Sequence, residues 1–236
     1  ITGASGGIGQ AIAEEFAKRG YRLVLHCHKN TDRLEEIASS LVEKGYETPL
    51  IVAGDLSEAE TAERIAKEAG QVDVLINNAG IAQQKLFTDI SSDEWCSMLN
   101  TNLGGVFNCT QEALKRYMLK NHSGVILNIS SMWGQVGASC EVHYSTAKAG
   151  VIGLTKALAK EVGLSGIRVN CICPGVIMTD MMKEFDENTV AELKEETPLN
   201  LLGAPEDIAD SAVFLCSEKA KFITGQILGV NGGFVI

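Results

Sequence analysis

"TGASGGIG" (residues 2–9) sets Gly3, Gly7 and Gly9 in a G-x-x-x-G-x-G spacing, directly before a pattern that reads as helix from about Ile8. Glycines at such points permit a tight turn and a close approach of the backbone to a ligand. A helix opening adds free amides and a partial positive charge suited to a pyrophosphate. Ser5 lies inside the same turn. The signal gains weight only where a strand precedes the turn and a helix follows it. Only Ile1 and Thr2 stand before Gly3, so the chain as given is expected to begin inside its first strand.

Outward from that turn, short branched apolar runs alternate with amphipathic stretches. "YRLVLHC" (21–27), "TPLIVA" (48–53), "VDVLI" (72–76), "GVILNIS" (124–130), "GIRVNCIC" (166–173) and "GQILGV" (225–230) read as buried strands. Helical patterns cover 8–19, 31–44, 57–69, 92–120, 142–163 and 205–217. "SEAE" (57–60) and "SSDE" (91–94) each offer a serine N-cap answered three residues later by glutamate. Strict alternation with short connections predicts an α/β fold: one doubly wound parallel sheet, a single domain over 1–236, with ligands beyond the carboxyl ends of the strands. Asp55, ending "VAGD", is placed there to accept from an adenine amino group, with Leu56 beside it; Asp55 reads equally well as a helix N-cap.

Composition excludes several classes. With 20 Lys and Arg against 30 Asp and Glu, the net charge of -10 gives little attraction for nucleic acid or anionic lipid. No apolar run approaches the roughly 20 residues of a membrane span, and no signal-like start is seen. Seven cysteines without a C-x-x-C pair fit reduced thiols in cytosol rather than a metal or disulfide framework. Cys171 and Cys173 are expected on opposite faces of their strand.

"YSTAK" (144–148) puts Tyr144 and Lys148 at i and i+4, one above the other on a helix face. The turn motif, "NNAG" (77–80), "TNLGGVFN" (101–108), "ISS" (129–131), "YSTAK", "IRVNCICPG" (167–175) and "ITGQILGVNGG" (223–233) follow in the order seen in the short-chain dehydrogenase/reductases. The chain resembles that family over essentially its whole length. The resemblance implies a Rossmann fold and hydride transfer with a nicotinamide dinucleotide.

It also implies roles. A free phenol has a pKa of about 10, and a neighbouring ammonium lowers it, so Lys148 is expected to tune Tyr144 as the proton donor. Ser131, 13 residues before Tyr144, is implied to help hold the carbonyl, while Ser130 points elsewhere. Asn102 is implied to anchor a water that joins the lysine to solvent, and Lys148 also to bind the nicotinamide ribose. Asn78, Ala79 and Gly80 are implied to line the cofactor, and Pro174, Gly175 and Thr179 to touch the nicotinamide carboxamide. NAD-preferring relatives carry an acid where this chain has Cys27, followed by His28 and Lys29, so NADPH is expected over NADH. Gly6 stands where phosphate-preferring relatives often have a basic residue.

The segment 176–200, with Met178, Met181, Met182 and Phe185, is expected to form a substrate lid, or else an ordinary amphipathic helix. The chain looks most like bacterial 3-oxoacyl-acyl-carrier-protein reductases, although His122 and Ser165 replace arginines common in carrier-binding members. Lys115, Arg116, Lys120 and Lys160 are left as a local basic patch for acyl carrier protein. Glu141, "HCH" and "SMWGQVGASCEV" also resemble the branch that reduces the 5-aminopentanone modification of elongation factor P, with Glu141 facing a cationic group; a solvated glutamate at a helix start is the plainer reading. Resemblance further implies a homotetramer packed through helices 92–120 and 142–163 and the C-terminal strand. A cofactor-sensing module without catalysis is the remaining alternative, disfavoured by the intact Asn102, Ser131, Tyr144 and Lys148.

Overall fold

The apolar runs form strands β1 (Val24–Cys27), β2 (Leu50–Ala53), β3 (Val74–Asn77), β4 (Gly124–Ile129), β5 (Ile167–Pro174) and β6 (Ile227–Val230) in the computed structural model, which describes residues 1–179 and 186–236. Every pairing among them is parallel. β1 pairs with β2, and β3-β4-β5-β6 run side by side. Residues 1–4 stitch the two groups together: His26 N donates to Ile1 O, Ala4 N to His26 O and Thr2 N to Ile76 O, at 3.0, 2.8 and 2.9 Å. The run 21–27 enters its ladder late because Tyr21 closes the preceding helix, donating its amide to Phe16 O and packing its ring 4.9 Å from that of Phe16.

The helices are α1 (Gly7–Lys18), α2 (Thr31–Glu43), α3 (Ala59–Ala69), α4 over 92–121, α5 (Trp133–Val136), α6 (Val142–Val162), α7 (Glu187–Glu196) and α8 (Pro205–Cys216). Ile12 and Phe16 of α1, Leu34, Ile37 and Leu41 of α2, and Ile208 of α8 cover one face of the sheet with Leu25, Leu127 and Ile172. The other face receives Met118 of α4 and Val162 of α6 against Ile126 and Val169, and Ala62 of α3 beside Cys109. Each such large side chain contributes about 1.5–3 kcal/mol by leaving water. Helices on both faces of a parallel sheet are the doubly wound arrangement expected from the alternation.

Some local expectations are corrected. Ser91 and Glu94 form the predicted reciprocal cap of α4, and Glu94 also pairs with Lys85 at 2.7 Å, which with the Ser91 amide holds its carboxyl at about 2. Ser57 and Glu60 form no such cap. Asp55 Oδ1 takes the Ser57 amide at 2.9 Å, so the chain turns before α3 begins and Glu58 stands at its N-cap. Asp55 is therefore not the helix cap either. Cys171 and Cys173 share one face of β5, with Val106 and Val151, because alternation separates neighbours rather than residues two apart. Met181, Met182 and Phe185 of the expected lid lie outside the described residues; Met178 is exposed, and α7 fills much of the rest of 176–200. No described helix is long and apolar enough to cross a membrane.

Two features carry the fold towards a site. Buried Asn77 donates to Asn128 Oδ1 at 2.8 Å and to Thr110 Oγ1 at 3.0 Å, and Asn128 donates to Thr155 Oγ1 at 2.9 Å, a polar row that pins β3 and β4 to α4 and α6. Helix α4 widens into π turns at Asn100–Gly104 and Leu114–Met118. Such turns recur at functional sites because one extra residue re-aims the side chains around it.

Candidate active site

The glycine-rich turn is held from below. Asn78 Nδ2 donates to the carbonyls of Thr2 and Gly3, and the amides of Asn78 and Ala79 both donate to Thr2 Oγ1, all between 2.9 and 3.1 Å. Gly3 has φ +62°, and a Cβ there would lie 2.7 Å from Ala79 Cα. At Gly9 a Cβ would lie 2.3 Å from Gly3 O, so the helix can enter this close only without a side chain. A Cβ on Gly7 would come 3.1 Å from Thr179 Cγ2, which brings the segment after β5 over the mouth of the turn. No side chain caps α1, whose N-cap is Gly6. A cradle without side chains and an uncapped helix opening fit the pyrophosphate of a dinucleotide.

At the carboxyl ends of β1 and β2 the chain offers charge. Cys27 is buried, His28 and Lys29 are exposed, and His28 Nε2 stands 3.8 Å from Asp55 Oδ2. The Ser57 amide is the main cause holding the Asp55 carboxyl below its usual range, and His28 and Lys29 act the same way. Leu56 is buried between α3 and α4 beside Cys109.

The catalytic candidates meet further along the same carboxyl edge of the sheet. Tyr144 and Lys148 come from one face of α6, and Ser131 follows β4. Ser131 Oγ accepts the Trp133 amide at 3.1 Å and stands beside the Tyr144 phenol, whose pKa it draws downward. Ser130 turns away and donates to Lys148 O at 2.8 Å. Asn102, fully buried in the first π turn, both donates to and accepts from the backbone of Ile81 at 2.8 Å. A Cβ on Gly80 would meet Asn102 Oδ1 at 2.9 Å and Lys148 Nζ at 3.5 Å, so these three groups converge on one point. Gly175, after Pro174, packs against Asn231, where a Cβ would lie 2.7 Å from Cα.

The electrostatics differ from expectation. Burial pushes the Tyr144 phenol up to about 12, against the influence of the neighbouring Ser131 and helped by Glu141 and Cys173. The Lys148 ammonium donates to Ile129 O at 2.9 Å and lies 5.8 Å from the centroid of the Tyr144 ring. Burial pulls Lys148 itself down to about 8, so it is still mostly charged at neutral pH. Desolvation also raises the Glu141 carboxyl, opposed by a hydrogen bond from Gln84 Nε2 at 3.4 Å.

The sequence reading gave no role to His143 and took His26 only as part of "HCH", yet both are buried. His143, next to Tyr144, hydrogen-bonds Gln83 at 2.9 Å, and Gln83 in turn donates to Glu94, tying α6 to the start of α4. His26 lies beneath the glycine turn. Both sit inside apolar or motif stretches where nothing marks a partner far along the chain.

A glycine cradle and a serine–tyrosine–lysine cluster, neighbours at the carboxyl edge of a doubly wound sheet, define an oxidoreductase of the dinucleotide type. The family profile described as Enoyl-(Acyl carrier protein) reductase matches residues 3–235. A Bacillus subtilis protein named Uncharacterized oxidoreductase YmfI is 41% identical over 99% of this chain and 97% of its own length. The Staphylococcus epidermidis 3-oxoacyl-acyl-carrier-protein reductase FabG is 40% identical over 99% of this chain and 96% of its own. The crystal structure of a 3-oxoacyl-acyl-carrier-protein reductase from Brucella melitensis superposes with a TM-score of 0.95 at 33% identity, covering 100% of this chain and 90% of that one. The chain belongs to the short-chain dehydrogenase/reductase family.

Proposed function

We propose that the chain reduces the ketone of a 3-oxoacyl thioester, carried by acyl carrier protein, to the 3-hydroxyacyl product with NADPH. The observation that carries this reading is the convergence of Ser131, Tyr144, Lys148 and Asn102 at the carboxyl ends of the strands. Gly3, Ser5, Gly7, Ile8 and Gly9 would hold the pyrophosphate, Asp55 and Leu56 the adenine, and His28 and Lys29 a 2′-phosphate beside the Cys27 backbone. Asn78, Ala79 and Gly80 would line the middle of the dinucleotide; Lys148 would hold the second ribose, and Pro174, Gly175 and Thr179 the carboxamide.

When bound, the reduced nicotinamide supplies the hydride that forms the new C–H bond at the carbonyl carbon. The carbonyl π pair moves to oxygen, where Ser131 holds the developing charge and Tyr144 gives up its proton. A phenol at about 12 keeps that proton throughout the neutral range, which suits the reductive direction. Lys148 and Asn102 then stand on the path by which the phenol recovers a proton. The exposed Lys115, Lys120 and Lys160 offer an acidic carrier local charge, whereas Arg116 is occupied by Glu112 and Glu63. We propose further that the enzyme works in the cytoplasm as a homotetramer packed through α4, α6 and β6, a reading supported by Phe107, Leu164 and Leu228 exposed on or beside these elements.

The test is NADPH consumption with a short 3-oxoacyl thioester, comparing wild type with Tyr144→Phe while dinucleotide binding is followed in parallel. Turnover that vanishes in a variant still binding NADPH supports the reading. Tight NADPH binding without wild-type turnover turns attention to the second reading, the 5-aminopentanone modification on elongation factor P. That reading rests on Glu141, half-buried and close enough to Tyr144 to raise its phenol, where an amine could replace the weak Gln84 contact. Unchanged activity of Glu141→Gln on the modified factor would remove it.

A further inference from the structure

His26 is a buried base that the proposed reaction does not use, and it touches both walls of the adenosine end. Its Nε2 stands 2.9 Å from the Gly54 carbonyl, just before Asp55, and its Nδ1 lies 3.4 Å from the Gly3 amide of the glycine-rich turn. A carbonyl can only accept and an amide N–H can only donate, so one neutral tautomer, protonated at Nε2, satisfies both. Its own backbone binds the same turn, through Ala4 N to His26 O and His26 N to Ile1 O. Burial lowers the ring to a pKa of about 4, which keeps that tautomer uncharged across the physiological range.

We infer that His26 is a positioning residue: its imidazole braces the glycine-rich turn against the Gly54–Asp55 loop and fixes the width of the slot that receives the adenosine half of the dinucleotide. The inference rests on the dinucleotide reading above. An aliphatic residue would leave the Gly3 amide and the Gly54 carbonyl without their partner, and asparagine is too short to span both.

The experiment combines His26→Asn and His26→Leu with nitrogen-15 NMR of the histidines in the wild type. NADPH and NADH affinities are measured by fluorescence titration without ketone, and thermal unfolding without dinucleotide. The expected spectrum shows the Nε2-protonated tautomer unchanged from pH 6 to 8. The variants should bind both dinucleotides about 5- to 100-fold more weakly, the range set by one buried hydrogen-bond partner lost, with the loss falling on the dinucleotide KM rather than on kcat. A lower unfolding temperature with affinity intact overturns the inference, leaving a purely structural brace. So does an Nδ1-protonated ring in the wild type, which decides the matter even if both variants unfold. Wild type that binds neither dinucleotide overturns the inference together with the function beneath it, whereas normal wild-type binding with unaffected variants overturns the inference alone.

Discussion

His26 and Lys148 are both basic, both buried and both hydrogen-bonded to a main-chain carbonyl, yet they stand in opposite charge states at neutral pH. Burial takes the histidine to about 4 and leaves it neutral, whereas the lysine, brought down to about 8, remains mostly charged. The contrast follows the division of labour in the sheet. Around the glycine-rich turn the groups available to a ligand are amides and the space glycines leave open, and a neutral brace suffices. Around β4 and α6 they are side chains, and one of them keeps its charge in a place where charge is costly.

The comparison predicts that substitutions at the two ends of the site fail differently. The largest effect is expected at the side-chain end: Tyr144→Phe should lower kcat by about 10²–10⁴-fold, the usual worth of a positioned proton donor. Dinucleotide affinity should be retained; if it falls in parallel, the separation of binding from chemistry is lost. At the backbone end, Gly9→Ala forces a methyl to within 2.3 Å of Gly3 O. Strain of that kind costs about 1–3 kcal/mol, so unfolding in urea should come earlier and dinucleotide affinity should drop. An alanine variant with both properties intact would mean that the turn yields more easily than its geometry implies.

The charged brace gives a signature in pH. Folded Lys148 titrates at about 8, below the roughly 10.4 of an unfolded lysine, so between those values the unfolded chain binds the extra proton. Its contribution to stability should therefore rise with pH across that window, by about 2–3 kcal/mol relative to Lys148→Met. A difference between the two proteins that stays flat from pH 7.5 to 10 would show that the ammonium is better solvated than its burial suggests. The smallest effect is expected from Lys29→Ala, whose exposed charge is worth about 0.2–1 kcal/mol. NADPH should lose roughly 1.4- to fivefold of its advantage over NADH in competition binding, while NADH affinity stays the same.

Much of the architecture was legible because its signals are local. Alternating runs gave the strands and a parallel sheet with helices on both faces, and Ser91 with Glu94 marked the start of α4. The same four-residue pattern at Ser57 failed because Asp55, two residues earlier, takes the amide first. The π turns left no trace in the sequence, since one extra residue in a long amphipathic helix blurs the period without breaking it. The short helix α5 was read only as part of a motif, and its tight seat, where a Cβ on Gly134 would lie 2.8 Å from the Lys148 backbone, depends on a residue far along the chain. Among the site residues, Tyr144 and Lys148 could be paired from spacing. The field around them could not, because burial rather than the lysine sets the phenol. His26 was hidden for a related reason: on the strand it looked like one more inward position, and its partners at Gly3 and Gly54 come from two other loops.

The first π turn of α4 also governs how this helix can change over generations. Removing one residue from Asn100–Gly104 would restore an even α ladder, and because the wide turn absorbs that residue locally, the helix after it would keep nearly the same face. Cys109, Thr110 and Ala113 would go on facing inward and Thr110 would keep Asn77, whereas Asn102 would lose the wide turn that sets it against Ile81. Point substitutions can be tried here one at a time, and a change of length would fall on the site rather than on the seam. The bulge is thus inherited as a unit with the asparagine it presents.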